Sequence, residues 1–381
     1  MLRVLIVGGG IGGLSLGAAL GQRGIAAELV EIESAHQHAG FGIAQPGNAL
    51  RALSSLGVMD ACLQAGFQAD DYRYFDSDEN PLATLKMLRI ADPGLPAYNF
   101  VPRLDLLRIL AGAARRAGTR IRMSTTVSTW RPGSDRVEAT FSDGSSASFD
   151  LLVAADGIRS RFRCELFENA CEPSYTGSAA WRFMAPRPPD LDYQGIYLGT
   201  GCRTGLVPLN DRQMFVFVVT NEPGNPRPPV ERRRAMLLDR LAQFGGPIMS
   251  GLRSVLPASD RIVYTPLEEV MLPRPWHRGR VLLLGDAAHA ASPHVAQGAA
   301  MAIEDAVVLA EILAAGDSIE AALERYTERR YARCKFVQDH SRKVGEEGQL
   351  SDPRQCRSRN ERIRRIYAKP RPHELVLQAP I

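Results

Sequence analysis

Two stretches of the chain are apolar without alternation, and each is followed by a glycine. Leu2 to Val7 is rich in β-branched residues, the signature of a strand buried on both faces of a parallel sheet. It runs into Gly8-x-Gly10-x-x-Gly13 and then "LSLGAALGQRG", whose helical spacing stops at Gly24. A second strand, "AAELVEIE", follows. The pattern returns near the other end, where Val281 to Leu284 precedes Gly285-Asp286 and the helix "QGAAMAIEDAVVLAEIL", apolar at Met301, Ile303, Val307, Val308 and Leu309. Between these ends the texture changes. "GSAAWRFMAPRPP", "YQGIYLGTGCRTGLVPL" and "RQMFVFVVTNEP" read as strands separated by Pro, Gly and Asn turns, which predicts an antiparallel sheet. From Met214 to Val219 the alternation puts Phe215 and Phe217 on one face and Met214, Val216 and Val218 on the other. From Asp317 onward the spacing is mainly helical.

Length and composition change this picture little. A chain of 381 residues, 45% hydrophobic, has enough material for a substantial core. The net charge of +4 is concentrated between Arg354 and His373, where eight Lys or Arg face one acid, Glu361. That stretch is either a solvated terminal helix face or a contact for nucleic acid or anionic lipid. The six cysteines show no paired spacing, so reduced thiols and a cytoplasmic setting are expected. A strand beginning at Leu2 leaves no room for a signal peptide, and no apolar run reaches membrane-spanning length. The seven histidines form no H-x-x-x-H pair or Cys/His cluster, so no metal is expected.

The glycines have separable duties. Gly8 permits a sharp turn, Gly10 lets backbone approach a pyrophosphate, and Gly13, next to Gly12, lets the helix pack closely on the strand. The helix start then offers free N–H groups and partial positive charge to the phosphates. Glu31, 18 residues beyond Gly13, stands where an acid accepts hydrogen bonds from a ribose. These residues predict a dinucleotide without choosing between NAD and FAD. At the far end, Asp286 could accept hydrogen bonds from a polyol chain, which flavins possess and nicotinamide dinucleotides lack; it could also be a helix cap. Gly298, Ala299 and Ala300 would let the backbone at a helix start face a flat ligand that becomes anionic on reduction.

Taken in order, the glycine loop, "VPRLDLLRIL" with Arg103, "DLLVAADGIRSRFR" with Asp156-Gly157 and "LLLGDAAHAASPHVAQG" resemble the single-component FAD-dependent aromatic hydroxylases, the p-hydroxybenzoate hydroxylase-like flavoprotein monooxygenases, from residue 1 to about residue 345. The resemblance implies FAD, NADH or NADPH as a transient co-substrate, and dioxygen inserted into an aromatic or N-heteroaromatic small molecule through a flavin hydroperoxide. It implies FAD contacts from Arg103, whose planar cation suits phosphate oxygens, from Asp156 and Gly157, which could also be only a turn, and from Asp286. Gly42 and Val127 complete the expected cofactor set. Two departures stand out: Gly298-Ala299-Ala300 lacks the asparagine that many relatives carry there, and His36 and His38 precede "GFGI" where many have a basic residue.

The implied fold is α/β: a discontinuous Rossmann-like FAD-binding domain (1–72, 100–175 and 266–316), an antiparallel substrate layer (73–99 and 176–265) and a C-terminal helical region (317–381). Arg182, alternating with Trp181 and Phe183, places a charge in an apolar strand and needs either an internal carboxylate or a substrate oxygen. Tyr197, Phe215 and Phe217 are expected to line the pocket with it. His294, after Pro293, could take a phenolic proton or orient a ring, or simply bond to backbone. Pro293 and His294 are the catalytic candidates, and His289 is expected to be structural. A single GxGxxG and the lack of a close cysteine pair argue against disulfide reductases, and no W-x-W-x-I-P segment suggests a halogenase. The alternatives are an FAD oxidase or dehydrogenase of the same fold, and a nucleotide-binding interaction protein using the basic tail. A monomer or homodimer without nucleic-acid or membrane partners is expected.

Overall fold

The computed structural model describes residues 2–35, 41–168, 172–256, 261–366 and 372–381; His36 and His38 lie outside them. Arg3–Val7 is the centre of a six-stranded sheet, flanked by Ala26–Val30 on one side and Leu151–Ala154 on the other. Val281–Leu283 pairs in parallel with Leu151–Ala154, bringing strands more than 270 residues apart into one sheet. Val4, Leu5, Ile6, Leu152 and Leu282 are fully buried, as their unbroken apolar runs require; each such side chain contributes about 1.5–3 kcal/mol when removed from water. The consequence is positional. Three adjacent parallel strands end at the Gly8 turn, at Asp156-Gly157 and at Gly285-Asp286, so these motifs meet along one edge, where ligands of open α/β sheets bind.

A seven-stranded sheet forms the second layer, in the order Val263–Glu269, Ser174–Pro186, Gln213–Asn221, Cys202–Pro208, Gln194–Leu198, Asp71–Asp76 and Pro81–Lys86. It is antiparallel except where Gln194–Leu198 runs parallel to Asp71–Asp76. Met214, Val216 and Val218 join Trp181 and Phe183 in a core closed by Leu237 and Leu241 of the helix Val230–Leu241 and by Met249 and Leu252 of the helix Pro247–Val255. Phe215 and Phe217 turn to the opposite face.

The helix Ile319–Gly348 spans both layers. Near its start, buried Arg330 ion-pairs with Glu304 and Asp305 of the helix Gly298–Ala314; at its end, Gln349 accepts a hydrogen bond from Ser178 of the second sheet. The basic stretch is docked, at least in part. In the helix Pro353–Ile366, Cys356 and Ile363 are buried, and Arg359 donates to the carbonyls of Glu347 and Gly199. No helix among the described residues is long and apolar enough to cross a membrane. One expectation is corrected: Cys164 is disulfide-bonded, whereas Cys62, Cys202, Cys334 and Cys356 are free and buried.

Candidate active site

The nucleotide end is shaped by missing side chains. Gly8 has φ +113°, and a Cβ there would lie 2.4 Å from the Ala155 carbonyl oxygen; one on Gly13 would lie 1.9 Å from the Gly8 carbonyl oxygen. Both positions therefore exclude any larger residue. Gly12 faces Leu284 and Ala302, so the first helix touches the end of the strand Val281–Leu283 and the helix Gly298–Ala314, while a Cβ on Gly10 would meet nothing within 4 Å. Gly10 thus leaves open the space at the helix start. Glu31 is fixed beside it, accepting from Gly9 N–H at 2.5 Å and Glu33 N–H at 2.9 Å. Thr125 donates its N–H to the Glu31 carbonyl, and Val127, two residues on, is buried in the main core.

Further along the edge, polar atoms lack partners. Asp156 accepts from Arg161 N–H, but its Oδ1 is buried and unpaired; burial raises its carboxyl pKa despite the hydrogen bonds. Arg103 opens the helix Arg103–Arg116, donates its N–H to the Phe41 carbonyl and keeps a buried Nε with no partner among the described residues. Gly157, at φ +78°, has open space beside it. Orphaned polar atoms are costly inside a protein, and here a donor and an acceptor are both left in that state.

Asp286 carries the strongest indication. Its residue is exposed, whereas Ala287, Ala288 and His289 are buried. Its carboxyl pKa is nonetheless raised, chiefly by the surrounding protein and also by Asp305, with His289 and Arg103 pulling it down. A carboxylate that water reaches but protein surrounds opens into an internal cleft. No side chain caps its short helix, whose N-cap is Gly285. The Gly285 turn is held from behind: Asp305 Oδ2 accepts from Gly285 N–H at 3.1 Å and contacts His289 Nε2 at 2.6 Å, while Oδ1 accepts from Arg330 at 2.7 Å. Although burial opposes charge on both partners, these neighbours hold Asp305 at about 2, and Cys334 and Asp305 hold His289 well above its ordinary range. His289, Asp305 and Cys334 are close enough to ligate a metal, but the Arg330 cation already occupies that carboxylate. Gln297 exchanges hydrogen bonds with Asn48, which also donates to Glu304. This fixes the start of the next helix, where Gly298 is open, Ala299 is partly exposed and Ala300 is buried.

The second sheet faces this cleft with a different chemistry. Arg182 pairs in register with Phe217, and Met184 with Phe215, so these side chains share a face. Gly42 closes the corner, since a Cβ there would meet Leu209 at 2.8 Å and Phe215 at 3.4 Å. Arg182 has no hydrogen-bonding or ion-pair partner among the described residues, and its pKa is pushed down to about 10 by burial and by Arg103. The internal carboxylate considered for it is not found there. Tyr197 requires a correction: it stacks on Phe75 with centroids 4.8 Å apart and belongs to the core on the helix-covered face. Strand alternation, once the true register is set, turns it away from Phe215 and Phe217.

His294 lies in the turn Pro293–Val295, with Pro293 exposed and His294 buried. Its Nδ1 is 2.6 Å from a terminal nitrogen of Arg203. A guanidinium only donates, so this nitrogen accepts and the ring is neutral. Burial, Arg203 and Arg182 together lower the His294 pKa well below its ordinary value. Arg203 was not anticipated, although "CRTGLVP" carries the same signal as Arg182, a charge within an apolar strand. Nor were Asp305 and Arg330, where the signal was an acidic pair inside an apolar helix.

The structure thus sets out an open helix start at Gly10, an exposed carboxylate at Asp286 and a sheet face that carries Arg182 and Phe217. A family profile described as "FAD binding domain" matches residues 1–341. The chain is 33% identical over 370 residues to aurachin C monooxygenase/isomerase of Stigmatella aurantiaca, covering 95% of this chain and 94% of that protein. It is 33% identical over 373 residues to 2-heptyl-3-hydroxy-4(1H)-quinolone synthase of Pseudomonas aeruginosa strain PAO1, covering 96% and 94% respectively. Among solved structures, HpxO of Klebsiella pneumoniae complexed with FAD and uric acid superposes with a TM-score of 0.84 at 26% identity, covering 95% of this chain and 92% of that one.

Proposed function

The chain belongs to the FAD-binding family of flavoprotein hydroxylases and is an FAD-dependent monooxygenase; from that premise we propose that it uses NADH or NADPH and dioxygen to hydroxylate a flat aromatic or N-heteroaromatic ring bearing an acidic or strongly accepting oxygen. The observation that carries the reading of the ring is Arg182, a cation on the cleft-facing side of an apolar sheet with no carboxylate partner among the described residues. Such a charge calls for an anionic or hydrogen-bonding partner. Relatives that bear the names of a quinolone synthase and an aurachin monooxygenase, and a structural neighbour holding uric acid, agree with a flat heterocycle.

Each residue set then has a task. The start of the first helix beyond Gly10 takes the pyrophosphate, Glu31 the adenosine ribose, and Arg103 a phosphate oxygen. Asp286 accepts from the ribityl hydroxyls, with Asp156 and Gly157 closing the middle of the cleft. Gly298, Ala299 and Ala300 bring backbone to the flavin's pyrimidine edge. The bound flavin supplies the redox and oxygen chemistry that side chains lack. Phe215 and Phe217 exclude water from the reacting ring, and Arg182 holds and polarises its oxygen.

The test is consumption of NADH or NADPH against a panel of salicylate, 3-hydroxybenzoate, 4-hydroxyquinoline and uric acid, followed by product analysis under ¹⁸O₂. Incorporation of one labelled oxygen atom per reductant supports the hydroxylase reading. Peroxide formed stoichiometrically, with no label in any ring, points instead to an oxidase.

A further inference from the structure

The long helix Ile319–Gly348 carries two glycines, Gly345 and Gly348, three residues apart and therefore on one face. Glycine is a poor helix former, and neither residue has the positive φ that would require it. What both positions lack is room. A Cβ on Gly345 would stand 2.5 Å from Cδ2 and Nε2 of His294, and one on Gly348 would stand 2.8 Å from Cδ of Arg203. His294 and Arg203 are the pair joined at 2.6 Å, 7% and 4% exposed respectively. Arg203 lies with its guanidinium 5.9 Å from the centroid of Phe217, and its buried Nε has no partner among the described residues. The same helix is pinned just before these contacts. Ser341 donates to the Ser292 carbonyl at 2.5 Å, and Gln338 donates to the carbonyls of Val270 and Ala290.

We propose that Gly345 and Gly348 are positioning residues: two notches in the long helix that seat His294 and Arg203, so that the helix sets where the Arg203 guanidinium stands beside the substrate cavity. His294 then acts through Arg203, as a neutral acceptor that fixes the guanidinium plane, and not as a base. With Nδ1 engaged by Arg203 and the Nε2 edge against Gly345, neither ring nitrogen is turned to a substrate proton. This inference rests on the proposed substrate reading only for its consequence in turnover; the seating itself is independent of it.

The experiment uses holoenzyme with Gly345→Ala, Gly348→Ala, His294→Gln and His294→Leu, and Gly251→Ala as a control. Gly251 is in the helix Pro247–Val255, where an added Cβ would meet nothing within 4 Å. Alanine ordinarily stabilises a helix relative to glycine, so the control should raise the melting temperature while both notch variants lower it, all retaining FAD. In ¹⁵N spectra of labelled holoenzyme, His294 should show an unprotonated, hydrogen-bonded Nδ1 that shifts in Gly345→Ala. Gln offers Arg203 an acceptor and Leu does not, so the flavin absorbance response to the salicylate, 3-hydroxybenzoate, 4-hydroxyquinoline and uric acid panel should survive in His294→Gln. In His294→Leu and the notch variants it should weaken about tenfold, the factor for losing one charge-assisted hydrogen bond. Equal losses in Gln and Leu, notch variants that melt higher than the parent, or notch variants with unchanged shifts and panel response would each overturn the proposal. If no panel member perturbs the parent flavin, the substrate reading fails, and the shifts and melting temperatures still decide the seating.

Discussion

Glu31 and Arg182 are both charged residues beside the cleft, yet the protein treats them differently. Glu31 is held by two backbone N–H groups at 2.5 and 2.9 Å, whereas Arg182 has no partner among the described residues, and burial and neighbouring Arg103 lower its pKa. The same contrast separates the regions around them. Behind Asp286, Asp305 takes Gly285, His289 and Arg330 at once; across the cleft, Arg203 has one side-chain hydrogen-bond partner among the described residues, a neutral histidine. Where a constant cofactor binds, the geometry is fixed beforehand, which limits the entropy lost on binding. On the proposed reading, the substrate supplies the partner that Arg182 lacks.

The contrast can be broken most forcefully at Asp305. Asp305→Ala leaves buried His289 without its carboxylate and buried Arg330 with Glu304 alone, and a loss of about 3–5 kcal/mol in unfolding free energy is expected, read from urea denaturation. A loss below about 1 kcal/mol would show the cluster to be unimportant to the fold. Next in size is Asp286→Ala, which removes a charge-assisted acceptor worth about 1.5–3 kcal/mol. FAD should dissociate at least about tenfold more readily while the circular dichroism stays native. A fully yellow, tightly loaded variant would remove Asp286 from the cofactor set.

Arg182→Met sharpens the other side of the comparison. With no carboxylate to strand, it should melt at or above the parent temperature and keep FAD, while KM for any accepted ring rises about tenfold or more. A melting temperature well below the parent would mean that the cation is structural. The smallest effect concerns acid. His294 has a lowered folded-state pKa, so below its ordinary value of about 6.5 the unfolded chain binds a proton that the native state refuses, and stability falls as pH drops, by up to about 1.4 kcal/mol per unit. His289, raised in the folded state, has the opposite sign: its contribution is complete in acid and is lost as pH rises through its folded pKa. The difference between the parent and His294→Gln, followed by denaturation from pH 7 to 5, isolates the first term; identical slopes would show that His294 is not held neutral.

Local signals were the legible ones. Gly8, Asp156-Gly157 and Gly285 could be read because each turn follows directly on a buried strand, and the parallel pairing of those three strands puts the turns on one edge. Arg182 was legible as a misplaced charge. Tyr197 was not, because a shift of one residue in strand register exchanges the two faces of a sheet, and nothing local in "YQGIYLG" fixes that register. The contact between Arg203 and His294 joins positions 91 apart, and the Asp305–Arg330 pair joins a helix to one that begins after it ends. Side-chain partners chosen by tertiary packing leave no periodic trace.

The helix Ile319–Gly348 touches the acid cluster with Arg330 and the roof with Gly348, five turns later. Adding or deleting one residue between these points would rotate everything beyond it by about 100° and shift it by about 1.5 Å, moving the notches off Arg203 and His294 while the cofactor cradle stayed intact. Anyone grafting a foreign substrate sheet onto this scaffold must therefore transplant the distal turns of that helix in phase with it, or the chimera will take up its pigment and hold its new ligand askew.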